Sequence, residues 1–326
     1  QWRRLPGGQL LYIIRYRTMT LQQMEYIVAV YRLRHFAKAA EYCGVTQPTL
    51  SAMIQKLEAE LDIKIFERSS QQVMPPEVGR KVVEQAWKVL VRANRIKDIV
   101  REEKGSYEGT FRLGILPTIA PYLLPRFFTQ LEREHPETDI RVMEMKTADI
   151  KRALSRGELD AAILVSLDDM DNYVQTPLFY EQFLAYVSRG DALYSHRAIK
   201  TADLHHEFLW LLDEGHCFRD QLVKFCNLQA ATNSKQTYSL GSIETFMRMV
   251  EGGQGVTFIP ELALEQLSPA QHELVRPFAL PIPTRQVVLL TTKTFVRHSV
   301  LNLIAEAVRT HVPERMLHFN NTEQRV

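Results

Sequence analysis

A chain of 326 residues with 45% hydrophobic and 24% charged residues is long enough for two or three packed domains, and this composition excludes an intrinsically disordered chain. The formal net charge is only +2, but residues 1–106 carry 18 Lys and Arg against 11 Asp and Glu, whereas the remainder carries 22 against 27. A basic N-terminal part followed by an acidic remainder is typical of a sensor protein that binds nucleic acid, although a few surplus charges on a solvated surface would give the same count.

The first eighteen residues form a charged leader with an apolar patch at residues 10–14. They lack the apolar core and small-residue cleavage site of a secretory signal. An amphipathic pattern opens only after Met19, so we interpret residues 1–18 as upstream or non-native sequence. No apolar run approaches the ~20 residues that a membrane helix needs, and we expect no membrane partner.

Residues 19–76 have the pattern of a winged helix-turn-helix. Apolar residues recur every three or four positions over 21–33, and a second short helix is predicted over 36–43. Gly44 then breaks the pattern, and Thr46 can cap a third helix that runs through Leu61. Strands predicted at 63–66 and 72–74, around a polar tip, would form the wing.

The third predicted helix carries short polar side chains in its first turn, as a recognition helix needs in order to reach base edges and phosphates. Gln47 can present a bidentate amide to adenine, and Lys56 can hold a phosphate. Arg68, in the wing, could reach the flanking backbone or the minor groove. The candidate DNA-binding residues are Thr46, Gln47, Pro48, Thr49, Ser51, Gln55, Lys56 and Arg68. Alternatively, Thr46 is only a helix cap and the residues after it only a solvated turn.

A long helix is predicted after Pro75 and Pro76, with an apolar stripe over 77–103 that a second copy of the chain could cover. Residues 105–109 are the best linker in the chain. Strand-like runs then alternate with helical ones, which predicts an α/β fold built from βαβ units and parallel sheets. The predicted strands are 111–115, 140–144, 161–165, 183–188, 209–212, 256–259 and 287–291.

The chain contains three cysteines, Cys43, Cys217 and Cys226, too few for a disulfide-stapled secreted scaffold, and this predicts a reducing, cytoplasmic compartment. A helix should begin near Cys217, beside His216 and Arg219. Such a position lowers a thiol pKa and favours the thiolate that peroxide attacks. The alternative is that Cys217 and Cys226 are small buried apolar residues, as free cysteines usually are.

If that helix is intact, nine residues separate the α-carbons of Cys217 and Cys226 by roughly 13 Å, whereas a disulfide needs about 4.4 to 6.8 Å. Oxidation would therefore have to unwind the segment. Closing a loop of this size stabilises by about 3 kcal/mol at best. We expect this gain to be close to the cost of un-burying one or two side chains.

Two sets of motifs resemble a known family. Residues 36–51, followed by Ile54-x-x-Leu57-Glu58 and by 61–68, resemble the DNA-binding domain of LysR-type transcriptional regulators. Residues 211–226, with the core G-H-C-x-R-D-Q, resemble the redox loop of the peroxide-sensing members of that family. The resemblance to these members extends to residues 116–125 and 242–245. The chain departs from the family pattern at Gln55, Gln71 and Gln72, where Arg or Lys is common.

The resemblance implies a winged helix-turn-helix and a linker helix, followed by a two-subdomain α/β regulatory domain of periplasmic-binding-protein type. It implies that Cys217 is the peroxidatic cysteine and Cys226 the resolving one, with Cys43 outside the site. It implies a peroxide site formed by Thr118, Thr147, His216, Arg219 and Asp220, with Asp220 as a candidate proton donor. The implied partners are operator DNA, hydrogen peroxide, a second copy in dimers and tetramers, RNA polymerase and a glutaredoxin or thioredoxin-type reductant.

The predicted domains are a leader (1–18), a DNA-binding domain (19–76), a linker helix (77–107), a regulatory domain (108–320) and a tail (321–326). Within the regulatory domain we expect one subdomain over about 108–180 and 283–320 and another over about 181–282. A LysR-type regulator that binds a small effector between these subdomains is the alternative function. A thiol peroxidase leaves residues 19–76 unexplained, so we do not expect the chain to be an enzyme. We expect no cofactor. We also expect no metal at the adjacent residues His205 and His206.

Overall fold

The computed structural model describes residues 2–4, 10–12, 19–68, 73–167, 170–206, 208–212, 217–226, 242–253 and 255–326. The chain forms two units, Gln1–Lys97 and Asp98–Val326. None of the helices in these described ranges is long and apolar enough to cross a membrane.

The first unit contains the predicted helix-turn-helix. Its elements are β1 (Trp2–Arg4), β2 (Leu10–Tyr12), α1 (Leu21–Leu33), α2 (Phe36–Tyr42), α3 (Gln47–Leu61), β3 (Glu67–Arg68), β4 (Val73–Met74) and the start of α4 (Glu77–Glu103). Strand β1 pairs antiparallel with β2, and β3 with β4. The helical predictions are therefore confirmed to within a residue, because the apolar period and the capping residues agree.

Local hydrogen bonds fix where α1 begins and ends. The Thr20 hydroxyl accepts from the Gln23 backbone, and the Gln23 side chain accepts in turn from the Thr20 backbone, which forms a capping box. Arg34 ends the helix in the left-handed region, at a φ of 53°. Apolar residues from α1, α2, α3 and α4 then pack into one core, in which Val30, Ala39 and Leu50 are fully buried.

The wing begins later than predicted. Residues 63–66 form an irregular, bent segment rather than a strand, and only Glu67–Arg68 pairs with Val73–Met74. The Glu58 carboxylate is buried, and its Oε1 accepts from the backbone N–H groups of Ile65 (2.8 Å) and Phe66 (3.2 Å). Because a buried side chain satisfies these N–H groups, the segment needs no partner strand. The apolar pattern reflects burial of Ile65 and Phe66 in the core.

The long helix α4 packs against this unit through its first turns. Gly79 lies against the main-chain carbonyl of Ile65, where a β-carbon would collide with the backbone. The Arg32 guanidinium lies 4.0 Å from the centre of the Trp87 ring. Further along α4, Ile96, Ile99 and Val100 are 67%, 49% and 50% exposed. The apolar stripe predicted from the sequence is therefore present, and much of it faces outward.

The second unit is built on one mixed sheet. Its strands are β5 (Gly109–Ile115), β6 (Thr138–Glu144), β7 (Ala161–Val165), β8 (Tyr173–Val187), β9 (Val256–Pro260), β10 (Val275–Pro277), β11 (Ile282–Thr292) and β12 (Glu323–Arg325). Their order is β10-β8-β11-β7-β5-β6, with β9 on β8 and β12 on β11. The chain ends in β12, where the sequence predicted only a tail.

The expectation of parallel sheets is only partly correct. Strand β5 runs parallel to β6 and β7, but β11 runs antiparallel to both β7 and β8, and β8 runs antiparallel to β9 and β10. Strand β8 is long enough to pair with β11 over 173–182 and with β9 over 183–187. The predicted strand at 209–212 makes one bridge, between Leu209 and Val256.

The helices of the second unit cover this sheet. They are α5 (Ala120–Glu134), α6 (Thr147–Arg156), α7 (Cys217–Phe225), α8 (Ile243–Glu251), α9 (Pro269–His272) and α10 (His298–Thr310), with short 3₁₀ turns at Ala192–Ser195, Thr201–His206, Glu261–Gln266 and Glu314–Leu317. The core holds strand residues such as Phe183 and Ile163, and from α7 it holds Cys217, Phe218 and Leu222. Helix α7 is thus part of the core.

Two sets of hydrogen bonds tie the ends of this unit to its body. The buried Arg297 donates to the main-chain oxygens of Tyr107 and Glu108, just after α4, and the Glu102 carboxylate accepts from the backbone of Ser299 at the start of α10. At the other end, the Gln221 amide of α7 donates to the main-chain oxygen of Val326, at 2.7 Å.

Candidate functional site

The predicted recognition helix has a solvent-facing first turn. Gly44 takes a φ of 66°, which an L side chain rarely adopts, and this makes the sharp turn between α2 and α3. The Thr46 hydroxyl caps α3 by accepting from the Thr49 backbone, and the two hydroxyls lie 2.8 Å apart. The cap interpretation therefore describes Thr46, whatever else it contacts.

The other candidate DNA-binding residues lie along the same helix. Gln47, Pro48, Thr49, Gln55 and Lys56 are exposed, whereas Ser51 is half-buried. Arg68 lies in β3, at the base of the wing. The buried face of α3, formed by Leu50, Ile54 and Leu57, points into the core, so the polar residues occupy the face that could meet a groove.

The redox candidates Cys217 and Cys226 lie at opposite ends of α7. Helix α7 begins at Cys217, as predicted, and Cys226 continues its hydrogen bonding by donating to the Leu222 carbonyl at 2.9 Å. Both cysteines are reduced thiols, and both are buried, at 6% and 1% exposure. Nine helical rises separate their α-carbons by about 13 Å, so the two sulfurs cannot bond while α7 is intact.

The environment of Cys217 combines burial with a positive charge nearby. Burial raises the pKa of the Cys217 thiol, and this effect outweighs the Arg285 guanidinium and the Thr147 hydroxyl, which both lower it. The prediction that a helix start lowers this pKa is therefore wrong for the packed state. Sequence reasoning counted the helix terminus and the neighbouring cations but not the desolvation. His216 lies outside the described residues.

Thr118 and Thr147 lie on different elements around α7. The Thr147 hydroxyl, at the start of α6, is buried and lies beside the Cys217 thiol. Thr118, between β5 and α5, accepts from the Arg285 guanidinium through its hydroxyl at 3.2 Å and through its carbonyl at 3.0 Å. Arg285 therefore connects Thr118 to the surroundings of Cys217.

Arg219 and Asp220 follow Cys217 on α7. Arg219 is half-buried and Asp220 is exposed. The negative charge of Asp220 raises the pKa of Cys217, so it opposes thiolate formation in this state. Asp220 is thus the more exposed of these two residues.

Cys226 is held as a protonated thiol by its packing. Burial raises its pKa to about 12. The third cysteine, Cys43, is half-buried at the end of α2, and burial followed by the charge of Glu25 raises its pKa as well. Within the described residues, no group of three or more His, Cys, Asp and Glu side chains is placed to hold a metal ion.

Sequence reasoning missed the buried ion pair between Arg285 and Glu181. Both side chains are 1% exposed, and Arg285 Nη2 lies 2.6 Å from Glu181 Oε2. Arg285 also faces the rings of Phe218, at 5.0 Å, and Phe183, at 5.7 Å. The available signal was a charged residue inside each of two apolar strands, but the strand predicted at 287–291 began two residues after Arg285.

Comparison with known proteins identifies the class of regulator. Residues 104–313 match the LysR substrate binding domain, and residues 21–80 match the family of bacterial regulatory helix-turn-helix proteins of the lysR family. The chain belongs to the LysR family of transcriptional regulators. Within that family it resembles the regulators called OxyR.

Three relatives carry this resemblance. The hydrogen peroxide-inducible genes activator of Dickeya chrysanthemi is 33% identical over 298 residues, which cover 91% of this chain and 97% of the relative. A full-length OxyR variant from Pseudomonas aeruginosa is 34% identical, with a TM-score of 0.73 over 90% of this chain and 99% of that one. Reduced OxyR from Porphyromonas gingivalis is 44% identical, with a TM-score of 0.61 over 66% of this chain and 100% of that one.

Proposed function

We propose that this chain is a hydrogen-peroxide-sensing transcription regulator that a disulfide between Cys217 and Cys226 switches. The observation that carries the proposal is the placement of two buried cysteines at the two ends of one helix, with Cys217 beside Arg285 and Thr147. The names of the relatives point to the same stimulus. A buried thiol beside a fixed cation and hydroxyls suits a small, uncharged oxidant.

The proposed chemistry has two steps. The Cys217 thiolate attacks one oxygen of hydrogen peroxide, the O–O bond breaks, and the leaving hydroxide takes a proton to become water, which leaves a sulfenic acid on Cys217. The Cys226 sulfur then attacks the Cys217 sulfur, a second water leaves, and a disulfide forms. Thr118, Thr147, His216 and Arg219 are proposed to bind the peroxide oxygens, with Asp220 supplying a proton at the edge of the site.

The second step requires α7 to open, because its intact form keeps the two α-carbons about 13 Å apart. Opening would also remove Cys226, Phe218 and Leu222 from the core. A chemical change at one sulfur would thereby become a rearrangement of the regulatory unit. This rearrangement is the proposed signal to the DNA-binding residues.

The remaining partners follow from the same proposal. The outward-facing stripe on α4 favours pairing with a second copy, and two such pairs would give a tetramer. Operator DNA would bind through Thr46, Gln47, Pro48, Thr49, Ser51, Gln55, Lys56 and Arg68. RNA polymerase as the target, a glutaredoxin or thioredoxin-type reductant and a cytoplasmic location complete the proposal.

Footprinting on operator DNA tests the switch. We expect peroxide to change the length or spacing of the wild-type footprint and to leave that of a Cys217→Ser variant unchanged, because Ser cannot form a sulfenic acid. An unchanged wild-type footprint, or an equal change in the variant, would favour a regulator that responds to a small effector instead.

Two variants in α3 separate base recognition from phosphate binding. We expect Gln47→Ala to lose about 1 to 3 kcal/mol on specific DNA and little on random DNA, because its amide reads a base edge. Lys56→Ala should weaken binding to both DNAs and reduce the slope of log affinity against log salt concentration by about one. Titrations on both DNAs at several salt concentrations measure this, and equal losses for Gln47→Ala would contradict the assignment.

A further inference from the structure

The ion pair between Glu181 and Arg285 joins four elements around the redox site. Glu181 comes from β8 and Arg285 from β11, and the pair contacts Thr118 before α5 and Leu262 in the 3₁₀ turn after β9. Both charged side chains are 1% exposed. A charge buried this deeply has no water to reorient around it, so the hydrogen bonds fix its position.

The Glu181 carboxylate uses each of its oxygens for a different set of donors. Its Oε2 accepts from Arg285 Nε at 2.8 Å and lies 2.6 Å from Nη2, while its Oε1 accepts from the Leu262 backbone at 3.1 Å. An amide at this position would aim its NH₂ group at one of these donors. The site therefore requires a carboxylate.

The rest of the Arg285 guanidinium faces the redox residues. It donates to the hydroxyl and the carbonyl of Thr118, and it lies 5.0 Å from the ring of Phe218, the residue after Cys217. Among the influences that lower the pKa of Cys217, the charge of Arg285 is the largest. The effect of this charge depends on the distance between the guanidinium and the Cys217 sulfur, so it depends on the groups that hold the guanidinium in place.

We propose that Glu181 is a positioning residue for the peroxide reaction: it holds Arg285 between Thr118 and the start of α7, and so sets how readily Cys217 reacts. This inference rests on the proposed function for the identity of the oxidant. Its physical content, a carboxylate that controls a thiol through an arginine, does not depend on the oxidant.

Two effects of Glu181 would have opposite signs. If Glu181 positions Arg285, removing the carboxylate lets Arg285 move away and makes Cys217 harder to ionise. If Glu181 acts only as a counter-charge, removing it leaves Arg285 in place with its positive charge uncompensated and makes Cys217 easier to ionise. Within the described ranges, the other polar groups that act on the thiol or the pair are Thr147 from α6, Asp220 from α7 and Tyr122 from α5, whose phenol donates to Glu244.

The test is the rate at which iodoacetamide alkylates Cys217 in the full-length reduced protein, followed by mass spectrometry as a function of pH. For Glu181→Gln we expect the midpoint of the profile to rise by about one pH unit and alkylation at neutral pH to slow about tenfold. The reason is that the Arg285 charge, which favours the thiolate, would move away from Cys217. Glu181→Asp keeps the charge on a shorter side chain, so its midpoint should lie between those of the wild type and Glu181→Gln.

Glu261→Gln is the matched control. Glu261 is a neighbouring buried carboxylate that accepts from the Gln182 backbone and pairs with Arg315. Within the described part of the chain it makes no hydrogen bond or ion pair with Arg285. Its loss should destabilise the same region and leave the Cys217 midpoint unchanged. An equal rise in Glu261→Gln would assign the effect to general loosening and overturn the proposal.

A lower or unchanged midpoint in a folded Glu181→Gln variant would also overturn it. If circular dichroism shows that this variant does not fold, Glu181→Asp decides, and a wild-type midpoint there contradicts the proposal. Because alkylation involves neither peroxide nor DNA, its outcome is independent of the footprint test. If the wild type shows the expected footprint change but Glu181→Gln leaves the midpoint unchanged, only the role proposed for Glu181 is rejected.

Discussion

In a Cys226→Ser variant, peroxide is expected to oxidise Cys217 without forming an intramolecular disulfide, and sulfinic and sulfonic acids should accumulate under excess peroxide. The reason is that Cys226 supplies the sulfur that captures the sulfenic acid, and without it Cys217 advances along the oxidation series. Mass spectrometry of digests measures both species. In the wild type the main product should be a peptide linked through Cys217 and Cys226.

Cys43→Ser is the control for this experiment, because Cys43 lies in the first unit, half-buried at the end of α2. This variant should give the wild-type linked peptide in wild-type yield. A wild-type digest without that peptide, or a product linked through Cys43, would contradict the pairing of Cys217 with Cys226.

The rate of sulfenic acid formation at Cys217 is expected to rise about tenfold per pH unit from pH 6 to 8, or about a hundredfold overall, without a plateau. Burial raises the pKa of this thiol, and below a raised pKa the thiolate fraction grows in proportion to hydroxide. Trapping the sulfenic acid with dimedone in the Cys226→Ser background measures the first step alone, and Cys217→Ser gives the blank.

A profile that is flat from pH 6 to 8 would mean that the pKa of Cys217 lies below this range. A profile that rises and reaches a plateau within this range would place the pKa inside it. Either result would contradict the prediction, because it would mean that other influences on the Cys217 thiol outweigh its burial.

The helix-turn-helix was predictable from sequence because its determinants are local. The apolar period over 21–33, the break at Gly44 and the cap at Thr46 each lie within a few residues of the element that they define. The wing was misplaced because the Glu58 carboxylate, several residues earlier in the chain, satisfies the backbone at Ile65 and Phe66.

The redox site was predictable only in part. Cys217 begins α7 and Cys226 directly follows it, so spacing alone gave their separation. The resemblance to the family gave Thr118 and Thr147, each from a different motif. The pair of Glu181 and Arg285 is 104 residues apart in sequence, and the contact forms only because β8 and β11 are adjacent antiparallel strands. Likewise, the desolvation that sets the sign of the Cys217 pKa shift depends on how the core closes over α7.

The burial of Cys226 would make the proposed switch depend on how long peroxide is present. While α7 stays closed, a sulfenic acid on Cys217 cannot reach the Cys226 sulfur, and a reductant that reacts first would return Cys217 to the thiol. The more slowly α7 opens, the longer peroxide must persist before disulfide accumulates. The packing of Cys226 would therefore make the regulator respond to sustained oxidant and not to brief exposure.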